Sequence, residues 1–415
     1  MAGGRAPFTV EDSAGIEIVA NHAPEHPAGT FWTIDDVPEI VLGGGRMVTP
    51  NDDPGATVAD SAQLIWEVSG LARLEDGRIA VLSTGNHQLL LFEPSGELSR
   101  VIGDRGDGPG EFTRPQHLQY LPPDTLVVWD YWFAPTSYFD TVGTLLGERT
   151  IDLRRMMEAA PGTNAESTMF PLPDGSLVVV AGNDFPPGTP APGFVRGPLS
   201  EFIRIDESYS TRSLGSWEGL ELWVPQDESP MPGFPTFMVE SHLASGGDPQ
   251  SIYISNGDTD EVRQFSVEGN LVRIIRRTTD PVPVSDAAQE AWESAFVAYW
   301  SKWGDLEREL GMTTERFLAG MRREAFPPVA GLVVDTDGFL WVREWSASEV
   351  GMPDRWSVFG PDGRWLGVIP ALPDLMLCHR RLSPCWIDGE YLLAVRRDEL
   401  GIERVEGYRI GRDRP

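Results

Sequence analysis

One pattern recurs along the chain and limits its fold more than any other feature. A turn of the Asp-Gly type is followed at once by a short run of Val, Ile, Leu and aromatic residues: EDGRIAVLS at 75–83, PDTLVVWD at 123–130, PDGSLVVVA at 173–181, DPQSIYIS at 248–255, TDGFLWVRE at 336–344 and IDGEYLLAV at 387–395. Each run is too short for a helix and rich in residues that suit a pleated, half-buried surface. Residues 66–112 give the whole unit, with runs VSGLARL, RIAVLS, HQLLLFE and ELSRVIG separated by tight turns. Four such runs make one antiparallel sheet.

An isolated four-stranded sheet has two apolar faces and must stack on sheets like itself. Radial repetition of the unit predicts an all-β, six-bladed β-propeller with four-stranded antiparallel blades. A second turn follows at a constant offset in five copies: FEPSGEL, FDTVGTL, IDESYST, FSVEGNL and FGPDGRW. The sixth copy stops at ERVEGYRI, one strand short, and VPEIVLGG at 37–44 matches the missing piece. The N-terminal segment 1–65 is therefore expected to close the sixth blade and leave no free edge at the seam.

The linker GDRGDGPGEFTRP at 103–115 resembles the loop preceding each blade in NHL-type six-bladed propellers, and DELGIERVEGYRI at 398–410 resembles the closing strand of bacterial proteins of that group. The resemblance covers nearly the whole chain. It implies a single propeller domain over 1–415 and an exported protein, periplasmic or extracellular, whose export signal has been trimmed. It leaves function open, because related propellers include lyases, lactonases and plain interaction modules.

Charge narrows the partners. With 63 acidic against 33 basic residues the net charge is −30, which opposes binding to a phosphate backbone and argues against nucleic acid. No apolar run is long enough to cross a bilayer as a helix. Cys378 and Cys385 leave both a disulfide and two buried thiols open, since an extended inner strand over 380–386 would hold them too far apart to bond.

Long connections fall in one class of position. Segments 129–137, 182–198 and 344–356 join strand two to strand three, while 216–235 and 277–328 join strand four to the next blade, and in an up-and-down sheet both types emerge on the same face. Elaborated loops on a rigid scaffold are where function concentrates. Within 277–328 the apolar positions Trp292, Phe296, Trp300, Trp303, Leu306 and Leu310 advance by three or four. That predicts a helical insertion between blades four and five, with Thr313 or Thr314 capping a second helix.

Two functional readings follow. The first is a non-catalytic binding or scaffold propeller without a cofactor, recognising a small molecule or protein through Trp129, Asp130, Tyr131, Trp132, Trp223, Asn256, Glu344, Trp345 and Arg396 at the elaborated ends of the strands. The second is a lyase or lactonase dependent on a divalent metal such as zinc or calcium, held by His117, Glu240 and His242, with Asp130 or Glu344 nearby. No nucleophile elbow is present, and the Gly-rich run at 103–110 precedes a strand, not the helix that a phosphate loop needs.

Overall fold

A computed structural model describes residues 6–43, 65–130, 135–163, 169–182, 191–225, 233, 235–302, 307–308, 312–345, 355–372, 375–376, 384–398 and 401–412. The six repeats form six sheets, each antiparallel in its four-stranded core, and the chain is an all-β, six-bladed β-propeller. Blade one is Val68–Arg73, Ile79–Ser83, Gln88–Phe92 and Leu98–Ile102. Blade two is Pro115–Leu121, Thr125–Asp130, Thr136–Asp140 and Leu145–Arg149. Blade three comprises Met169–Pro171, Leu177–Ala181, Ser200–Ile205 and Thr211–Trp217. Blade four is His242–Gly246, Ser251–Ser255, Glu261–Ser266 and Leu271–Arg277, and blade five is Gly331–Val334, Leu340–Glu344, Arg355–Phe359 and Trp365–Pro370.

The chain divides into two compact units, one of residues 32–159, 170–177 and 372–415, the other of 1–31, 160–169 and 178–371. In the first unit, the sixth blade is completed as its missing strand requires. Ile40–Gly43 pairs antiparallel with the last strand, Glu403–Gly411, and Thr33–Ile34 extends the same edge. Leu42 is buried there among Ile65, Leu393 and Val405. The interior of this unit is a run of Leu, Ile, Val and Phe packed between adjoining blades, and Gly70 lets blade one approach blade two: a Cβ there would lie 2.4 Å from Leu118 Cβ and 2.9 Å from its backbone nitrogen.

Of the inner strand expected over 380–386, residues 380–383 lie outside the described residues. Leu375–Met376 and Cys385–Ile387 both pair with Tyr391–Arg397, and Met376 and Cys385 face its neighbouring residues Val395 and Ala394. Met376 and Cys385 thus lie beside consecutive residues of one strand, so the separation assumed for an extended strand does not hold. Cys385 is disulfide-bonded, and the only other cysteine of the sequence is Cys378, outside the described residues.

In the second unit an N-terminal hairpin, Phe8–Ser13 with Ile16–Asn21, widens blade four to six strands; its second strand runs parallel to Leu271–Arg277. Asn21 fixes the join, since its buried amide donates to the Gly363 carbonyl at 3.0 Å and accepts from Trp365 N–H at 2.9 Å. The helical insertion starts where its sequence sets it. Ser285 caps Asp286–Trp300 through the amide of Ala288, and Thr313 caps Thr314–Gly320 through that of Arg316. Trp303, Leu306 and Leu310 lie outside the described residues. A short helix, Leu153–Ala159, was not legible from apolar period; its signal is Asp152, whose carboxylate accepts from Arg155 N–H.

Candidate functional site

Four long connections of the second unit meet on one another. The strand Gly193–Arg196, from the 182–198 connection, pairs antiparallel with Glu221–Val224 from 216–235, in the register Phe194 to Trp223 and Arg196 to Glu221. Alternation places Phe194 and Arg196 on one face of this two-stranded ribbon, with Trp223 and Glu221 beside them. The helical insertion covers that face. Trp223 meets Phe317 edge-on at 5.3 Å, and Gly320 is required because a Cβ there would lie 2.0 Å from the indole. The fourth connection joins through Trp345, which stacks on Phe326 at 5.2 Å and meets Phe237 at 4.7 Å.

Two arginines from different connections converge at the ribbon. Arg323, from the insertion, lies over the Phe194 ring at 4.6 Å, pairs with the buried carboxylate of Glu221 and donates from Nε to the Thr236 carbonyl at 3.2 Å. Burial, and then the neighbouring Arg196, lower its pKa to about 10. Arg196 donates from Nε to the Gly219 carbonyl at 3.0 Å and from Nη2 to the Asn256 carbonyl at 3.0 Å, while its Nη1 is buried without a hydrogen-bond partner. Burial also lowers the pKa of Arg196, against the pull of Glu218, Asp258 and Glu240.

Asn256 is the hub beside this pair. Its amide oxygen accepts from Glu218 N–H at 3.0 Å, and its nitrogen donates to Glu218 Oε2 at 3.3 Å and Asp258 Oδ1 at 3.1 Å. Glu240 is half-buried, with its backbone against Gly257, where a Cβ would come within 2.2 Å of the Glu240 carbonyl oxygen. His242 is buried at the start of its strand opposite Ser255. Glu344 is buried and engaged: Arg277 and Arg355 both pair with its carboxylate.

The remaining sequence candidates belong to the first unit. Asp130 accepts from the Thr113 and Arg114 amides, a role that orders the 103–115 linker. Trp129 is buried and points its indole N–H at Gln119 Oε1, 3.3 Å away. Arg396 donates to Glu406 Oε2 at 2.7 Å and to the Tyr408 hydroxyl at 2.9 Å. Tyr131 and Trp132 lie outside the described residues. Trp223 is buried against Phe317 of the insertion, and Trp345, half-buried, stacks on Phe326. Arg196, Glu221 and Arg323 escaped the sequence reading because they sit in the connections and not at the strand ends compared there. Among the described residues, no group of three or more His, Cys, Asp or Glu side chains is placed to hold a metal ion.

His117, opposite Trp129 in blade two, is desolvated, which lowers its imidazole pKa to about 4. The unfolded chain, with an ordinary value near 6.5, then takes up this proton first, so folding stability is lost as pH falls from about 6.5 toward 4. Urea unfolding should show His117 contributing a loss of about 3 kcal/mol at most across that window. In His117→Gln this part of the slope should vanish, and an unchanged slope would refute the assignment.

A family model described as a six-bladed β-propeller matches residues 60–123. No curated protein matches the chain. Among solved structures, the chain is similar to a candidate exported protein from Bacteroides fragilis, at 12% identity over 95% of this chain and 99% of that one, with a TM-score of 0.45. It is also similar to a gluconolactonase from Xanthomonas campestris, at 14% identity over 93% and 99% with a TM-score of 0.38. A virginiamycin B lyase from Staphylococcus aureus gives 11% identity over 83% and 94%, with a TM-score of 0.35. The matched family model names a six-bladed propeller and not the NHL group, so the resemblance drawn from residues 103–115 holds at the level of the fold.

Proposed function

We propose that this chain is an exported, non-catalytic binding propeller that recognises a small molecule or protein partner through the elaborated face of its second unit. The observation that carries the reading is the ribbon of Gly193–Arg196 and Glu221–Val224, roofed by the insertion: four connections are spent on one packed superstructure that the propeller core does not need. Polar and aromatic groups on its surface, Phe194 and Glu218 among them, remain open to solvent. Export is supported by the disulfide-bonded Cys385, because disulfides persist in oxidising compartments.

The test is retention of a ligand or partner from extract of the source cells by the intact protein and by Phe194→Glu. Phe194 is 42% exposed, so the charge disturbs the face and not the core. The variant is expected to melt like the parent and bind about ten-fold more weakly or worse, a loss of about 1.4 kcal/mol or more. Equal retention would refute the reading.

The rival reading, a metal-dependent lyase or lactonase, draws on one observation: desolvated His117 is neutral at neutral pH, the state in which imidazole binds metal. Stoichiometric zinc or calcium in the purified protein, lost in His117→Ala, would favour it.

A further inference from the structure

We infer that the outer edge of the N-terminal hairpin, strand Phe8–Ser13, is a docking edge for an extended, basic segment of a partner protein, which adds to the six-stranded sheet of blade four as one more strand.

The edge is open by geometry. The hairpin turns at Ala14 and Gly15, with φ of 56° and 83°, and sets Ser13 opposite Ile16, Glu11 opposite Ile18 and Thr9 opposite Ala20. In a two-residue hairpin the pair flanking the turn exchanges ladder hydrogen bonds, and so does every second pair after it. His22 N–H donates to the Pro7 carbonyl at 2.7 Å and continues that alternation. The N–H and C=O groups of Phe8, Val10 and Asp12 therefore point away from the hairpin, and among the described residues no strand lies on that side.

The other outer strands are guarded. In blades one to five the third and fourth strands pair across a β-bulge, which bends and twists an edge away from further pairing. The amides of Glu25 and His26 also donate to the Trp365 and Leu366 carbonyls on the outer strand of blade five, and Ile40–Gly43 of blade six is only four residues long. The hairpin lacks these protections. Its six residue pairs run without a shift in register, its outer strand FTVEDS holds neither proline nor lysine, and five of that strand's six residues are exposed. Blade four has its four strands without it.

Charge selects the occupant. Among the described residues neither Glu11 nor Asp12 has a cationic partner, and Asp12 accepts from the Gly15 amide of its own turn. Arg364, which lies over the Phe8 ring, is engaged by Asp362 and Glu25. A second copy on the same edge would bring two carboxylates from each side into one short ladder, between chains of net charge −30. A lysine or arginine opposite Glu11 gains what that arrangement loses. With Val10 and Asp12 bonded to the added strand, an antiparallel partner of Glu11 falls in a non-hydrogen-bonded pair, where opposing side chains come closest. Val10, 49% exposed, suits an apolar residue at the adjoining position.

Fluorescence polarisation of the intact protein at physiological salt tests this with a labelled peptide, acetyl-Thr-Val-Lys-Val-Lys-Val-Thr amide. One control peptide carries methyl groups on the amide nitrogens of its valines and lysines, which keeps the charge and removes the ladder donors. Another has glutamate in place of both lysines. The probe should bind saturably, and each control at least about ten-fold more weakly. Val10→Pro removes one outward N–H and sets a ring on the edge, while the hairpin keeps its own bonds at Thr9 and Glu11; it should melt like the parent and bind the probe about ten-fold more weakly or worse. Glu11→Lys should reduce or reverse the preference for the lysine peptide over the glutamate peptide.

The comparison of the three peptides on the parent needs no substitution, so a variant that folds poorly does not remove the test. Equal binding of the methylated analogue would show diffuse charge attraction and overturn the inference, as would no saturable binding of the probe or an unchanged affinity in Val10→Pro. A parent that sediments as a dimer, with Val10→Pro a monomer, would give the edge to a second copy and overturn it too. The hairpin edge uses none of the residues of the elaborated face, so its failure leaves the binding reading above untouched.

Discussion

A chain lacking residues 32–43 is expected to lose the cooperative unfolding of the unit that contains blade six. The strand Ile40–Gly43 supplies the outer partner for Glu403–Gly411, with Leu42 opposite Val405 and Ile40 opposite Gly407. Removing it bares the ladder groups of a central strand and uncovers a core built around Leu42, Ile65, Leu393 and Val405. Glu39 is lost too; hydrogen bonds from Arg409 and Tyr391 hold its carboxyl below the ordinary range. The milder substitution Leu42→Ala, at a side chain only 1% exposed, should reduce stability by about 2–5 kcal/mol. Differential scanning calorimetry measures both. A deletion variant that melts like the parent would contradict the closure.

The second large effect is expected at Arg277, the last residue of blade four. Its guanidinium pairs with Asp260 and Glu344, donates to Ser357 Oγ at 3.0 Å, and lies 5.3 Å from the Trp365 ring centroid. Burial disfavours its charge, but Glu344 and Asp260 outweigh that and raise its pKa above the ordinary value. Arg277→Ala leaves the buried carboxylate of Glu344 with only Arg355, and should lower stability by about 3–5 kcal/mol. Replacing Arg277 by Met together with Glu344 by Leu removes two buried charges at similar volume and should recover part of that loss, the rest staying with Asp260, which keeps its charge without this arginine. Chemical denaturation of the three proteins checks this, and a double variant no better than Arg277→Ala would show that packing around the guanidinium, and not charge, dominates.

The fold was legible because its information is local and repeated. Each Asp-Gly turn fixes one strand pair, six recurrences fix the blades, and VPEIVLGG at 37–44 carries the pattern of the strand missing after ERVEGYRI. The insertion was legible because Ser285 opens a change of period from two to three or four. Less was legible where pairing joins distant segments. Gly193–Arg196 and Glu221–Val224 lie in two Pro/Gly-rich connections, and neither run announces the other. The parallel docking of Ile16–Asn21 on blade four depends on buried Asn21, one polar residue in a short hairpin. Nor does the run 380–386 tell that Met376 and Cys385 lie beside consecutive residues of one strand, and with that the pairing open to Cys385. Residue type alone does not tell a packed indole from an accessible one: Phe317 and Gly320 enclose Trp223, while Trp345 stacks on Phe326 and stays half-buried.

Site-specific photo-crosslinking tests the binding face most directly. A photoreactive phenylalanine analogue replaces Phe194, the exposed ring on the ribbon, or Glu268, which is exposed in the short turn between the third and fourth strands of blade four. Both positions belong to the same unit and tolerate a large side chain at the surface, so they differ in face and not in accessibility. Irradiation in the source cells should give one saturable, competable adduct from position 194 and only background from position 268. Equal labelling at both positions, or none at 194, would contradict recognition through the elaborated face.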